Sequence, residues 1–72
     1  MGYNNNIYEY LGKRIKHLRE SKNLTQEKLA ELSGLSIDYI GKIEVNINKP
    51  GLQGLIKIAN ALNVNIKELF DF

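Results

Sequence analysis

The sequence predicts an all-α protein, a compact bundle of five short helices. Through most of its 72 residues, apolar side chains recur at the three- and four-residue intervals of an amphipathic helix. Residues that favour helix caps fall between these periodic segments. Only residues 43–47 alternate apolar and polar side chains as a strand does, and the helical spacing from Ile40 to Ile43 argues against a strand there.

The first helix is predicted from Asn6 to Lys22. Its apolar side follows the i, i+4, i+7 spacing and consists of Ile7, Leu11, Ile15 and Leu18. Asn6 and Glu9 have the spacing of a capping box. Gly12 costs the helix up to about 1 kcal/mol relative to alanine, so we expect it to mark a close approach by another helix.

Two shorter helices are predicted at residues 25–32 and 36–44. Thr25 and Ser36 are favourable N-cap residues, and each follows a leucine placed for a hydrophobic staple. Gly34 is suited to end the first of them in the left-handed conformation. Two short helices separated by three residues that include glycine form the pattern of a helix-turn-helix, a pattern that also occurs without any binding role.

The last two helices are predicted after a loop at residues 45–50. The fourth begins at Gly51 or a neighbour, ends at Asn63, and carries the apolar residues Leu52, Leu55, Ile56, Ala59 and Leu62. Asparagine tolerates the left-handed backbone that closes a helix. Asn65 and Glu68 form a second capping-box pattern, so a fifth helix of little more than one turn is expected at the end of the chain.

Composition excludes several classes of protein. There is no cysteine and only one histidine, His17, so neither a disulfide framework nor a metal site is expected. No apolar run approaches the ~18 residues of a membrane span, and residues 1–6 lack the segments of a signal peptide. We therefore expect a flexible leader at residues 1–6, one domain at residues 7–72, and a cytoplasmic location.

No catalytic arrangement is visible in the sequence. Neither a nucleophile with a partner base nor a glycine-rich phosphate loop is present. We therefore expect no enzyme activity and no cofactor.

The charge distribution is a weak guide to function. The net charge is +2, but residues 1–22 carry five basic and two acidic side chains, whereas residues 23–50 carry three basic and four acidic ones. A basic first helix suits contact with phosphates, and a solvated helix face explains it equally well.

A longer set of residues carries a more specific signal than the motif alone. The set comprises Leu11 to Ile15, Leu18, Arg19, Leu24 to Ala30, Gly34 to Ser36, Tyr39, Ile40, Ile43, Glu44, Lys49, Pro50, Ala59 and Ala61 to Val64. In these positions the sequence closely resembles the lambda-repressor-like helix-turn-helix family, which comprises the phage repressors, Cro and their bacterial relatives and is also called the XRE family. The resemblance covers residues 11–70 and is most specific from Leu24 to Glu44.

The resemblance implies a surface that binds double-stranded DNA. Residues 36–44 are the implied recognition helix, which lies in the major groove and contacts bases through Ser36, Ile37, Asp38 and Lys42. The implied contacts to the DNA backbone come from Gln26, Tyr39, Asn46, Asn48 and Lys49. For Tyr39, packing on the protein is an equal alternative. Gly41 stands where the family often has a serine or a larger polar residue, which removes one possible contact.

The resemblance also implies contacts within and between protein chains. Arg19 and Glu44 match a pair that forms an internal salt bridge in several family members. The implied dimer interface lies at the end of the chain and consists of Ile66, Leu69, Phe70 and Phe72. Packing of the aromatic chain ends over the core is the alternative role for the two phenylalanines.

The implied function is that of a sequence-specific transcriptional regulator of the phage, plasmid or bacterial repressor or controller type. Such a protein is expected to bind an operator as a homodimer, in the cytoplasm and in association with the nucleoid, without a small-molecule ligand. The alternative is a helix-turn-helix module that binds protein, such as an antitoxin or the partner of another regulator. The net charge of −1 in residues 23–50 and Asp38 in the recognition helix favour the alternative.

Overall fold

A computed structural model describes residues 6–72, which form four α-helices and one 3-10 helix. The α-helices are α1 (Ile7–Ser21), α2 (Gln26–Ser33), α3 (Ile37–Glu44) and α4 (Leu52–Leu62), and the 3-10 helix is Ile66–Phe70. Within residues 6–72 there is no strand, and no helix is long and apolar enough to cross a membrane. The predicted all-α bundle is confirmed, whereas the predicted leader lies, except for Asn6, outside the described residues.

Residues 6–72 have four α-helices where five short helices were predicted, and the short fifth element is of a different type. Residues Ile66–Phe70 form a 3-10 helix, because five residues are too few to sustain a ladder of α-helical hydrogen bonds. Its beginning is as predicted, since the backbone N–H of Asn65 donates to the carboxylate of Glu68 at 2.8 Å. The turn fixes Leu69, whose side chain is fully buried.

Both helices of the helix-turn-helix begin at the predicted capping residues. The hydroxyl oxygen of Thr25 accepts a hydrogen bond from the backbone N–H of Lys28 at 2.9 Å. The hydroxyl oxygen of Ser36 accepts one from the backbone N–H of Tyr39 at 3.0 Å. Each cap satisfies a backbone donor that the first turn of a helix leaves without a partner.

The start of α1 differs from the prediction. Asn6 is its N-cap residue, but the side chain of Asn6 makes no capping hydrogen bond. Glu9 instead pairs with Lys13, one turn further along the helix, with 3.2 Å between Oε2 and Nζ. The predicted Asn6–Glu9 capping box is therefore wrong, because the carboxylate has a cationic partner on its own helix face.

The four α-helices end in the same way, with a left-handed residue followed by an apolar one. The left-handed residues are Asn23, Gly34, Asn46 and Asn63, with φ between 59° and 72°. The N–H of each following residue donates to the carbonyl five residues back, at 2.8–3.1 Å, in Leu24, Leu35, Ile47 and Val64. Three of these apolar side chains pack against the core, but Ile47 is 68% exposed.

One apolar core joins all five helical elements. Its buried members are Leu11, Ile15, Leu18, Leu29, Ala30, Ile40, Ile43, Leu55, Ile58, Ala59, Leu62 and Leu69. The inward side of α4 is rotated relative to the predicted one, because Ile58 is buried whereas Leu52 and Ile56 are 68% and 39% exposed. Two large apolar side chains assigned to the core thus lie on the surface.

The predicted close approach at Gly12 is confirmed. Gly12 lies where α1 meets the end of α3, and a Cβ atom there would overlap the carbonyl oxygen of Ile43. The carbonyl oxygen of Glu44 would lie only 3.2 Å from that atom. Glycine at this position therefore lets α1 and α3 touch backbone to backbone, which brings their side chains within reach of each other.

Candidate nucleic-acid interface

The centre of the candidate site is the pair formed by α2 and α3. The helix α2 ends at Gly34, and α3 begins at Ile37 after the N-cap Ser36. Ala30 on α2 is 6% exposed and Ile40 on α3 is fully buried, so both helices bury residues in the common core. The two helices and their tight connection form the predicted helix-turn-helix.

The outward side of α3 carries three of the four side chains that the sequence analysis assigned to base contact. Ile37 is 51% exposed, and the side chains of Asp38 and Lys42 are 72% and 45% exposed. The fourth, Ser36, lies at the exposed start of the helix, where its hydroxyl serves as the cap. All four are therefore accessible to a ligand that lies along α3.

Asp38 and Lys42 form an ion pair with each other. They lie one helical turn apart, and Lys42 Nζ is 3.0 Å from Asp38 Oδ2. A lone carboxylate would repel DNA phosphates, but this carboxylate is accompanied by a cation on the same face. The outward side of α3 therefore presents a donor and an acceptor side by side.

Tyr39 packs on the protein. Its half-buried ring lies against the core, and a Cβ atom at Gly54 in α4 would lie 3.1 Å from the Tyr39 hydroxyl oxygen. The absence of a side chain at Gly54 thus leaves room for the tyrosine hydroxyl. The predicted packing of Tyr39 on the protein is thus present, and its contact to the DNA backbone stays a prediction.

Gln26 is held against the recognition helix. Its Nε2 donates to Glu44 Oε1 at 2.9 Å, and a Cβ atom at Gly41 would lie 3.6 Å from Gln26 Oε1. The side-chain amide of Gln26 therefore lies in the space beside Gly41, in the middle of α3. The Gln26 amide has a second N–H. The first backbone N–H groups of α2 point out of its N-terminus, as in any α-helix, and such a helix end suits an anion.

Arg19 and Glu44 form a buried ion pair that joins α1 to the end of α3. Arg19 Nε donates to Glu44 Oε2 at 2.7 Å, and Nη2 donates to Oε1 at 3.1 Å. A third donor, Nη1, reaches the carbonyl of Leu24 at 2.7 Å. The hydrogen bond with Glu44 raises the pKa of the Arg19 guanidinium, so the guanidinium stays charged.

The carboxylate of Glu44 also accepts the hydrogen bond from Gln26, so one buried acid links α1, α2 and α3. The side chain of Glu44 is only 1% exposed, and no buried polar side-chain atom within residues 6–72 lacks a hydrogen-bond partner. The pairing of Arg19 with Glu44 was predicted from the sequence, but the contact with Gln26 was not. No local pattern points to that contact, because it joins residues 18 positions apart.

The loop that follows α3 carries the remaining residues assigned to backbone contact. Asn46 and Lys49 are exposed and Asn48 is half-buried. The ammonium group of Lys49 lies 5.5 Å from the ring centroid of Tyr8, which positions it by a cation–π contact. Ile47, which follows Asn46, is a further exposed apolar side chain in this loop and was not among the predicted site residues.

The basic character of α1 is partly structural. Arg19 is engaged in the buried ion pair with Glu44, and Arg14 Nε donates to the carbonyl oxygen of Glu68 at 2.9 Å. Arg14 Nη2 also lies 3.7 Å from Asp71 Oδ2. Two of the five basic residues in the first 22 therefore hold the fold together, which weakens the charge argument for phosphate contact by α1.

A second exposed surface lies at the end of the chain. Phe70 and Phe72 are 41% and 56% exposed, and the Phe72 ring centroid is 5.4 Å from that of Tyr10. Ile66 is half-buried, and Leu69 is fully buried in the core of its own chain. Of the residues assigned to the dimer interface, the two phenylalanines thus offer the most apolar surface.

His17 is exposed on α1. In the part of the chain that the structure describes, no group of three or more His, Asp or Glu side chains is placed to hold a metal ion.

Comparison with known proteins assigns the family. The profile of the helix-turn-helix family matches residues 15–69. The control protein C.SmaI of Serratia marcescens is 41% identical over 63 residues, which cover 88% of this chain and 75% of that protein. The control protein C.BamHI of Bacillus amyloliquefaciens is 41% identical over 69 residues, which cover 94% of this chain and 85% of that protein.

The fold agrees with the sequence matches. The crystal structure of the restriction-modification controller protein C.AhdI from Aeromonas hydrophila superimposes with a TM-score of 0.86 at 40% identity, covering 88% of this chain and 96% of that one. The match to the family profile includes α2, α3 and the turn between them. The chain therefore belongs to the lambda-repressor-like helix-turn-helix family of transcriptional regulators.

Proposed function

We propose that this protein binds an operator in double-stranded DNA as a homodimer and regulates transcription, as a controller or repressor. The observation that carries the proposal is the outward side of α3, which leaves Ile37, Asp38 and Lys42 exposed next to the N-terminus of α2. The similarity to proteins named control and controller proteins favours the controller type. The function requires no catalysis and no cofactor, and its place is the cytoplasm, at the nucleoid.

Base contacts are assigned to α3 in the major groove. Lys42 donates to O6 and N7 of guanine, and Ile37 packs against the methyl group of thymine. Ser36 reaches a base or a phosphate from the start of the helix. Asp38 accepts from an amino group of cytosine or adenine while it remains beside Lys42. These four side chains supply the sequence preference.

Contacts to the DNA backbone are assigned to the two ends of the motif. The N-terminus of α2 approaches one phosphate, with Gln26 oriented by its hydrogen bond to Glu44. Asn46, Asn48 and Lys49 approach another from the loop after α3. These groups fix the register of the protein on the duplex and favour no particular sequence.

Dimerisation is assigned to the surface at the end of the chain. The ring centroids of Phe70 and Phe72 are 6.5 Å apart, and Phe70 lines one groove together with the exposed Leu52 of α4. Ile66 is half-buried, and Ile56 exposes a further apolar side chain on α4. Contiguous exposed apolar side chains of this kind mark interfaces, while Leu69 supports the surface from the core. A two-fold dimer places its recognition helices about 34–36 Å apart, which corresponds to one turn of DNA.

Selection of bound sequences from a random DNA pool tests the proposal. The expected result is an enriched palindrome whose half-sites lie about one helical turn apart. Sedimentation of the complex on that duplex should give two chains per site. A pool that remains random after repeated selection would contradict sequence-specific binding.

A second function, binding to another protein through the same surface, is favoured by the charge of the motif. Residues 23–50 are net acidic, and Lys28 is paired with Glu31 at 2.8 Å while Lys42 is paired with Asp38. A salt titration on random-sequence DNA separates the two functions. For a DNA-binding protein, the logarithm of the affinity falls linearly with the logarithm of the salt concentration, with a slope of about −0.9 per phosphate neutralised. Absence of binding at about 50 mM salt supports the second function.

A further inference from the structure

The ion pair on the outward side of α3 leaves that surface without net charge. Lys42 Nζ and Asp38 Oδ2 are 3.0 Å apart, and 45% and 72% of the two side chains are exposed. Their neighbours on this side, Ile37 and Gly41, carry no charge. The surface assigned to the major groove is therefore neutral in sum, with one cationic donor held beside one anionic acceptor.

The two parts of a DNA duplex respond differently to such a pair. The phosphate backbone offers only negatively charged acceptors, so it attracts a free lysine and repels a carboxylate. The edge of a base pair in the major groove offers acceptors next to donors, such as O6 of guanine next to the N4 amino group of cytosine. A lysine paired with a carboxylate thus matches base edges and matches phosphates poorly.

We propose that Asp38 is a specificity-determining residue that acts in two ways. Its charge keeps Lys42 from binding phosphates, which lowers the affinity for DNA of unrelated sequence. Its carboxylate also accepts an amino group of a base while Lys42 donates to a neighbouring base acceptor. This inference rests on the proposed DNA binding by α3, and it defines the preferred target as a duplex that offers donor and acceptor side by side to α3.

Two substitutions test the inference on the selected operator and on a scrambled duplex of equal length. Asp38→Ala removes both the charge and the acceptor, and Asp38→Asn removes the charge but keeps an acceptor. For both variants we expect tighter binding to the scrambled duplex and a salt slope steeper by about 0.9 per protomer. Between about 50 and 200 mM salt, that slope corresponds to an additional loss of affinity of about 3.5-fold per protomer.

The two variants differ in their expected base preference. Asp38→Ala should lose preference at one position of each half-site in a repeated selection. Asp38→Asn should keep part of that preference, because its amide oxygen still accepts a hydrogen bond. Melting followed by circular dichroism checks that both variants remain folded, which is expected because Asp38 is exposed.

Glu9→Gln is the matched control. Glu9 and Lys13 form the same kind of pair on α1, one turn apart at 3.2 Å, with side chains 45% and 68% exposed. The substitution removes the same charge beside a lysine that does not belong to α3. We expect the salt slope and the ratio of operator to scrambled affinity to stay as in the original protein.

The outcomes separate the inference from the function on which it rests. If the unchanged protein binds no duplex, the proposed DNA binding fails and the inference fails with it. If the protein binds its operator but both Asp38 variants keep the original slope and affinity ratio, only the role of Asp38 is overturned. An equal change in the Glu9→Gln control also overturns it, because net charge alone would then explain the effect.

Discussion

The helix α3 carries two ion pairs of nearly equal length in opposite surroundings. The pair between Arg19 and Glu44 is 2.7 Å long, and its side chains are 9% and 1% exposed. The pair between Asp38 and Lys42 is 3.0 Å long, and its side chains are 72% and 45% exposed. Burial distinguishes the two pairs, and so does the number of hydrogen bonds, because Arg19 donates two of them to Glu44.

The difference in burial separates structure from function on a single helix. A buried charge that loses its partner gains no water in its place. Breaking the buried pair of Arg19 and Glu44, called the inner pair below, therefore costs much stability. In an exposed ion pair, water can replace either charged partner at little cost in stability. The inner pair thus fixes α3 to the rest of the protein. The exposed pair of Asp38 and Lys42, called the outer pair below, is free to change partners when a ligand binds.

The largest expected effect comes from breaking the inner pair with Glu44→Ala. The substitution leaves the guanidinium of Arg19 buried without its acid and removes the acceptor of Gln26. We expect the free energy of unfolding to fall by about 3–5 kcal/mol, which denaturant titration measures. In a domain of this size each kcal/mol lowers the melting temperature by about 4–8 °C.

The outer pair provides the control for that substitution. Asp38→Ala removes an acid from the same helix, but the side chain it removes is 72% exposed. We expect a loss of less than about 1 kcal/mol from the ion pair and the helix dipole together. Equal losses for Glu44→Ala and Asp38→Ala would refute the distinction between the two pairs.

A smaller effect is expected from Gly12→Ala, which tests how the inner pair is brought together. The new Cβ atom would overlap the carbonyl oxygen of Ile43, so α1 and α3 have to separate. We expect a loss of about 1–3 kcal/mol in the free energy of unfolding, as for other overpacked sites.

Gly41→Ala is the matched glycine substitution on the outward side of α3. The nearest atom to its Cβ would be Gln26 Oε1, at an ordinary contact distance of 3.6 Å. Because glycine weakens a helix interior, we expect this variant to gain about 0.5–1 kcal/mol. Chemical denaturation of both variants should thus give changes of opposite sign, and a gain in both would count against the assigned contact between α1 and α3.

An effect of similar size, but a loss of stability, is expected from Ser36→Ala. The hydroxyl of Ser36 accepts the backbone N–H of Tyr39 at the start of α3, next to the outer pair. Loss of such a cap costs about 1 kcal/mol. Thermal melting should show the decrease, and Ser36→Thr should restore most of it because threonine keeps the hydroxyl. No difference between the alanine and threonine variants would show that the cap does not stabilise α3.

Local features of this fold follow from the sequence. Thr25, Ser36 and Gly34 act as predicted, because caps and left-handed turns depend on neighbouring residues alone. Asn23 before Leu24 has the same pattern as Asn63 before Val64, so this helix end is also predictable.

Contacts between distant elements do not follow from the sequence. The hydrogen bond from Gln26 to Glu44 and the packing of Tyr39 at Gly54 depend on how the helices are placed in space. The exposure of Leu52 has the same origin, because α4 has apolar residues on more than one side and its neighbours decide which side is buried.

The most direct test of the account compares Lys42→Ala with Lys49→Ala on the selected operator and on duplexes with single base changes. The account assigns Lys42 to a base and Lys49 to the backbone. Lys42→Ala should therefore lose discrimination at one base position, while Lys49→Ala should weaken binding to all duplexes alike. Uniform weakening by both variants, with base preferences unchanged, would contradict the assignment of base reading to the outward side of α3.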